Sequence, residues 1–140
     1  VIVLDASAAL EVLLGTPAAG PIAERIFAPE ESLHVPHLFD VEVLQVVRLY
    51  CRIGEIDAER GREAVEDLED LTAERYPHEP LLRRIWELRD NATAYDAAYL
   101  ALAELLEAPL VTCDGRLLGA AQAAGFDLPV EHYPSSGRGD

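Results

Sequence analysis

Two short apolar runs in this chain each stop at an aspartate. Val1-Ile2-Val3-Leu4 ends at Asp5, and Leu110-Val111-Thr112-Cys113 ends at Asp114. Apolar, β-branched runs this short mark strands buried on both faces, as in a parallel sheet sheathed by helices. Parallel strands need long crossovers, and the sequence between the runs supplies helices for them. Ser7 is read as the cap of a helix to about Leu14, stopped by Gly15-Thr16-Pro17. A second helix covers about Ala18 to Phe27, and Leu33-His34-Val35-Pro36 reads as another strand. A long helix from about Leu38 to Ile53 closes at Gly54. Further helices are read over about Leu81 to Arg89, from Thr93 to about Leu106 and from Arg116 to Ala124, with Val130 to Tyr133 as the last strand. The alternation predicts an α/β fold of three layers, α/β/α, around a mainly parallel twisted sheet of four to five short strands.

At 140 residues the chain has the length of one domain, expected over 1–133, with 134–140 a flexible tail. Half of its residues are hydrophobic, enough for a core without disulfides. Cys51 and Cys113 are too few for a disulfide framework and are expected as buried free thiols in a reducing cytoplasm. No apolar run approaches the roughly 18 residues of a membrane span, so no membrane partner is expected.

The charge balance is lopsided. All 11 basic residues are arginine, against 26 acids, for a net charge of −15. An ordinary basic nucleic-acid surface is disfavoured, as is a polybasic membrane anchor. With no lysine in the chain, a Walker-type phosphate loop and a Schiff base are excluded. Ten of the acids fall within 55–79, where Val65, Leu68 and Leu71 still mark an apolar stripe, so this block reads as a solvated amphipathic helix.

Individual carboxylates carry more information than the total. Asp5 and Asp114 lie where α/β sheets place their ligands, outside the carboxyl ends of strands, though both also suit strand-to-helix turns. Glu42 shares the apolar stripe of its helix with Leu38, Val46, Leu49 and Ile53. A carboxylate there is costly unless paired, protonated or bound to a cation. Asp40 meets the start of the same helix as a favourable first-turn acid. Asp96 stands three residues after Thr93, which suits a capping box, but it opens a helix with no other charge before Glu104. If Asp5, Glu42, Asp96 and Asp114 share one crevice, any two about 4 Å apart repel by roughly 4 kcal/mol at an effective dielectric of about 20. Four cannot gather ionised without cations. All-oxygen ligands select Mg²⁺ or Mn²⁺, which most often serve phosphate chemistry.

The pieces Val3-Leu-Asp-Ala-Ser-Ala8, Val35-Pro-His-Leu-Phe-Asp-Val-Glu-Val43, Thr93-Ala-Tyr-Asp-Ala-Ala-Tyr-Leu-Ala-Leu-Ala-Glu104 and Leu110-Val-Thr-Cys-Asp-Gly-Arg-Leu117 run through nearly the whole chain. In that order they resemble the PIN-domain ribonucleases, specifically the VapC toxins of bacterial toxin–antitoxin pairs. The resemblance implies a PIN domain in which Asp5, Glu42, Asp96 and Asp114 hold one or two Mg²⁺ or Mn²⁺ ions and cleave RNA by metal-activated water. It implies that Ser7 supports this quartet by bonding a carboxylate or a metal-coordinated water. Arg116 is a candidate contact to the scissile phosphate. His34, His37, His78 and His132 are expected to be surface or packing residues. The partners implied are an RNA substrate, a small cognate antitoxin of the VapB kind and a second copy of the chain, all in the cytoplasm.

Three other functions compete. A receiver or phosphatase-like domain also gathers aspartates at strand ends but needs a lysine. A PIN-like module could bind RNA or antitoxin with weak catalysis, and a metal-dependent nuclease could act in RNA or DNA processing. Under the toxin reading, the acidity predicts RNA binding through metals and a few arginines, and it suits a basic antitoxin.

Overall fold

In a computed structural model, residues 1–136 are described. The elements run β1 (Ile2–Leu4), α1 (Ala6–Leu13), α2 (Ala19–Ile26), β2 (Leu33–Pro36), α3 (Leu38–Arg52), α4 (Ala58–Asp70), β3 (Glu74–Tyr76), a 3₁₀ turn (Glu79–Leu81), α5 (Leu82–Glu87), α6 (Ala94–Leu106), β4 (Leu110–Thr112), α7 (Gly115–Ala123) and β5 (Val130–His132). All strand pairings are parallel, in the order β3-β2-β1-β4-β5. The expected architecture is therefore present, with five strands and one edge strand, β3, that the sequence reading did not find.

The central strands are apolar because they are covered on both sides: β1, Val35 of β2, and β4 are almost wholly buried. Helices α1 to α4 pack among themselves, as do α5 to α7, giving the two outer layers. Helix α6 is buried at every position from Ala97 to Ala103, and its run of alanines lets it lie close against β1, β2 and β4. Arg25 of α2 clamps edge strand β5 through a fork on Glu131, at 2.8 and 3.0 Å.

Strand order fixes where a site can form. From β1 the chain builds outward through β2 and β3 on one side, then returns to build β4 and β5 on the other. The crossovers therefore diverge between β1 and β4, leaving a crevice beyond their carboxyl ends. Asp5 and Asp114 leave the sheet at that crevice.

One local expectation is corrected. Helix α1 starts at Ala6 with Asp5 in the cap position, so Ser7 lies inside the first turn and caps nothing. Of the expected tail, residues 134–136 lie against the molecule, with the Ser136 amide donating to Glu11 Oε1 at 2.9 Å. Residues 137–140 lie outside the described part.

Candidate active site

A cavity of about 640 Å³ opens at the switch point, and Asp5, Glu42, Asp96 and Asp114 all line it. The elements that deliver them are far apart in sequence. Asp5 follows β1, Glu42 sits one turn into α3 after β2, Asp96 lies in the first turn of α6, and Asp114 caps α7 after β4.

Asp5 is the most firmly held. It is 6% exposed, and its Oδ2 accepts from Ser7 Oγ at 2.6 Å and from Thr112 Oγ1 at 2.7 Å. Each hydroxyl has one proton and spends it on Asp5, so each can only accept elsewhere. Ser7 Oγ accepts the Cys113 amide and Thr112 Oγ1 the Asp114 amide, both at 2.9 Å. The 3.2 Å approach between the two hydroxyls is then contact rather than a hydrogen bond. This network joins the ends of β1 and β4, and burial pushes the Asp5 carboxyl above its ordinary range.

Glu42 Oε1 accepts from the Tyr99 hydroxyl at 2.6 Å. Burial, with the charges of Asp5, Asp96 and Asp114 adding to it, pushes Glu42 up to about 7 against the pull of that hydrogen bond. Burial also raises Asp96 to about 6, with Asp114 and Asp5 raising it further and Thr93 and Arg116 lowering it. The Thr93 hydroxyl caps α6 by accepting the Asp96 amide at 3.1 Å, which leaves the Asp96 side chain among the cavity walls. Asp114 Oδ1 accepts the Arg116 amide at 2.9 Å, so its turn-and-cap role and its place in the cavity coexist. Tyr99 is 1% exposed, and burial beside Asp5 and Glu42 keeps its phenol protonated.

The structure thus gathers all six residues singled out from sequence, since Ser7 and Arg116 line the same cavity. Asp40 lies elsewhere, accepting a fork from Arg75 of β3 at 2.6 and 3.0 Å. His78 Nε2 accepts the Leu38 amide at 3.0 Å and caps α3, while His34 bridges Ser32 and Tyr76. Two residues that hold the quartet escaped sequence reading, Thr112 and Tyr99, and so did Glu11, which lines the cavity without touching the four carboxylates. Among the described residues, no three His, Cys, Asp or Glu side chains are arranged to hold an ion as they stand. The donor set nevertheless suits one: four oxygen ligands whose mutual repulsion a hard divalent cation would cancel.

A sequence model of the PIN domain matches residues 2–122. Ribonuclease VapC12 of Mycobacterium tuberculosis is 42% identical over 130 residues, covering 93% of this chain and 97% of its own. The chain belongs to the VapC ribonucleases of the PIN-domain family. Ribonuclease VapC9 of the same organism is 46% identical over 122 residues, covering 87% of this VapC-family chain and 92% of its own. Among solved structures, PAE2754 from Pyrobaculum aerophilum superposes with a TM-score of 0.63 at 27% identity, covering 85% of this chain and 78% of that one. Among the described residues no helix is long and apolar enough to cross a membrane.

Proposed function

We propose that this VapC-family chain is the toxin of a toxin–antitoxin pair and an endoribonuclease that uses one or two Mg²⁺ or Mn²⁺ ions at Asp5, Glu42, Asp96 and Asp114. The observation that carries this reading is the convergence of four carboxylates from distant segments on one cavity, where burial, reinforced by their mutual charges, raises Glu42 to about 7 and Asp96 to about 6. A bound ion would activate water and neutralise charge at the scissile phosphate. The chain supplies the rest. Ser7 and Thr112 fix the Asp5 carboxylate, and Tyr99 orients Glu42 through Oε1. Cation binding would require Glu42 and Asp96 to release their protons. Arg116 lines the cavity and its positive charge pulls the Asp96 pKa down, so its guanidinium would be available to a phosphate bound there.

Asp5→Asn and Asp96→Asn are expected to abolish RNA cleavage in Mg²⁺ and growth arrest on expression, with unchanged circular dichroism. Full cleavage by either variant, or by the wild type in EDTA, would reject the mechanism. A basic antitoxin in the cytoplasm fits the net charge of −15. The exposed Leu82 and Trp86 of α5 and the exposed Tyr95 at the start of α6, a helix packed against α5, are apolar surface that a second copy would cover.

A further inference from the structure

Apart from Tyr99, the buried side chains with oxygen atoms among the described residues are Asp5, Thr112 and Glu11. The first two belong to the quartet and its support. Glu11, 7% exposed on α1, lines the same cavity yet is neither a proposed ligand nor paired with an arginine. Its partners are neutral: Oε2 accepts the Thr16 hydroxyl, and Oε1 accepts the Ser136 amide at 2.9 Å.

Residues 133–136 approach from the opposite side. The Tyr133 amide donates to the Thr112 carbonyl at 2.9 Å, carrying the β5 pairing one residue further, so the chain leaves the sheet beside the hydroxyl that holds Asp5. Ser135 and Ser136 then form part of the cavity wall and end at Glu11. This seat has a flaw, because Ser136 Oγ is buried with no hydrogen-bond partner among the described residues. Releasing the segment returns that hydroxyl to water, a gain comparable in size and opposite in sign to the loss of the Glu11 bond. Two states of similar free energy follow.

We propose that Glu11 is a latch, a positioning residue that holds residues 134–136 across the catalytic cavity and so gates the entry of RNA. The gate rests on the ribonuclease reading; the latch itself does not. In this scheme RNA binds only the unlatched fraction, so latching weakens apparent affinity without touching the chemical step.

The test uses full-length chains. Glu11→Ala removes the acceptor, Ser136→Pro removes the donor, and Glu11→Gln retains an acceptor. Amide exchange across 133–136 should quicken in Glu11→Ala and stay near wild type in Glu11→Gln. With Mg²⁺ and an RNA substrate, Glu11→Ala and Ser136→Pro should each lower KM by about twofold at unchanged kcat, the limit set by opening a latch that is closed about half the time. Their combination should lower it no further, since both break one contact. Unchanged exchange in Glu11→Ala overturns the latch, and a raised KM or multiplicative effects overturn the gate. Latch-dependent exchange in a wild type that cleaves no RNA overturns the ribonuclease reading and leaves the latch standing.

Discussion

The Thr112 hydroxyl donates to Asp5 and accepts the Asp114 amide, so one side chain fixes the spacing of two proposed ligands. Thr112→Val keeps the shape and loses both bonds in a site with no exposure. It is expected to cost about 1–3 kcal/mol in urea denaturation and to depress RNA cleavage. Wild-type stability and activity together would remove Thr112 from the site. Protonation gives a second prediction at this scale. In the metal-free fold Glu42 titrates at about 7 and Asp96 at about 6, above ordinary values of 4.5 and 3.8. Between these limits the folded chain keeps protons that the unfolded chain has released. These groups therefore make stability fall as pH rises from about 4 to about 7. Urea midpoints in EDTA should drop across that range, and less steeply in Glu42→Gln; equal slopes would contradict the burial of Glu42. Glu42 was legible in sequence because it interrupts an apolar stripe. Glu11 interrupts an even more apolar helix, Ala6 to Leu13, and the same reasoning would have found it. Thr112 and Tyr99 gave no such signal, since a threonine in a strand and a tyrosine in an apolar helix already fit their elements.

Helix α4 illustrates how packing overrides propensity at the scale of elements. Gly61 lies within it, where alanine would ordinarily stabilise by about 1 kcal/mol. Here a Cβ would stand 2.7 Å from Cys51 Sγ and 3.7 Å from Val47 Cγ1 on α3. Gly61→Ala is therefore expected to destabilise by about 1–3 kcal/mol in thermal or urea unfolding, with most of the loss recovered on adding Cys51→Ala. A stabilised single variant would show that the two helices separate easily. Strands β1, β2 and β4 were readable because burial on both faces forces apolar sequence. Strand β3 was not: Glu74-Arg75-Tyr76 is an edge, paired only to β2, and it carries charge where a buried strand cannot. Its arginine explains Asp40, which from sequence looked like a helix-dipole acid and in the fold ties α3 to that edge.

For the whole molecule the net charge of −15 sets the terms of RNA contact. Arg25, Arg60, Arg62, Arg75 and Arg84 are each engaged by carboxylates, and the other six arginines stand against a large excess of acids, 26 in all, so the surface as a whole repels a polyanion. Fluorescence anisotropy with an uncleavable RNA analogue should therefore register binding in Mg²⁺ or Mn²⁺ and lose it in EDTA. Equal binding in both would place the RNA on a surface other than the carboxylate cavity. The strand order carries a consequence for synthesis as well. β1 is made first and lies at the centre of the sheet, yet the crevice beside it waits for β4, the fourth strand of five. Translation delivers Asp5 well before Asp114, with three strands and six helices made between them. A nascent chain that has not yet made β4 thus holds Asp5 and Glu42 without the strand that completes the crevice around them.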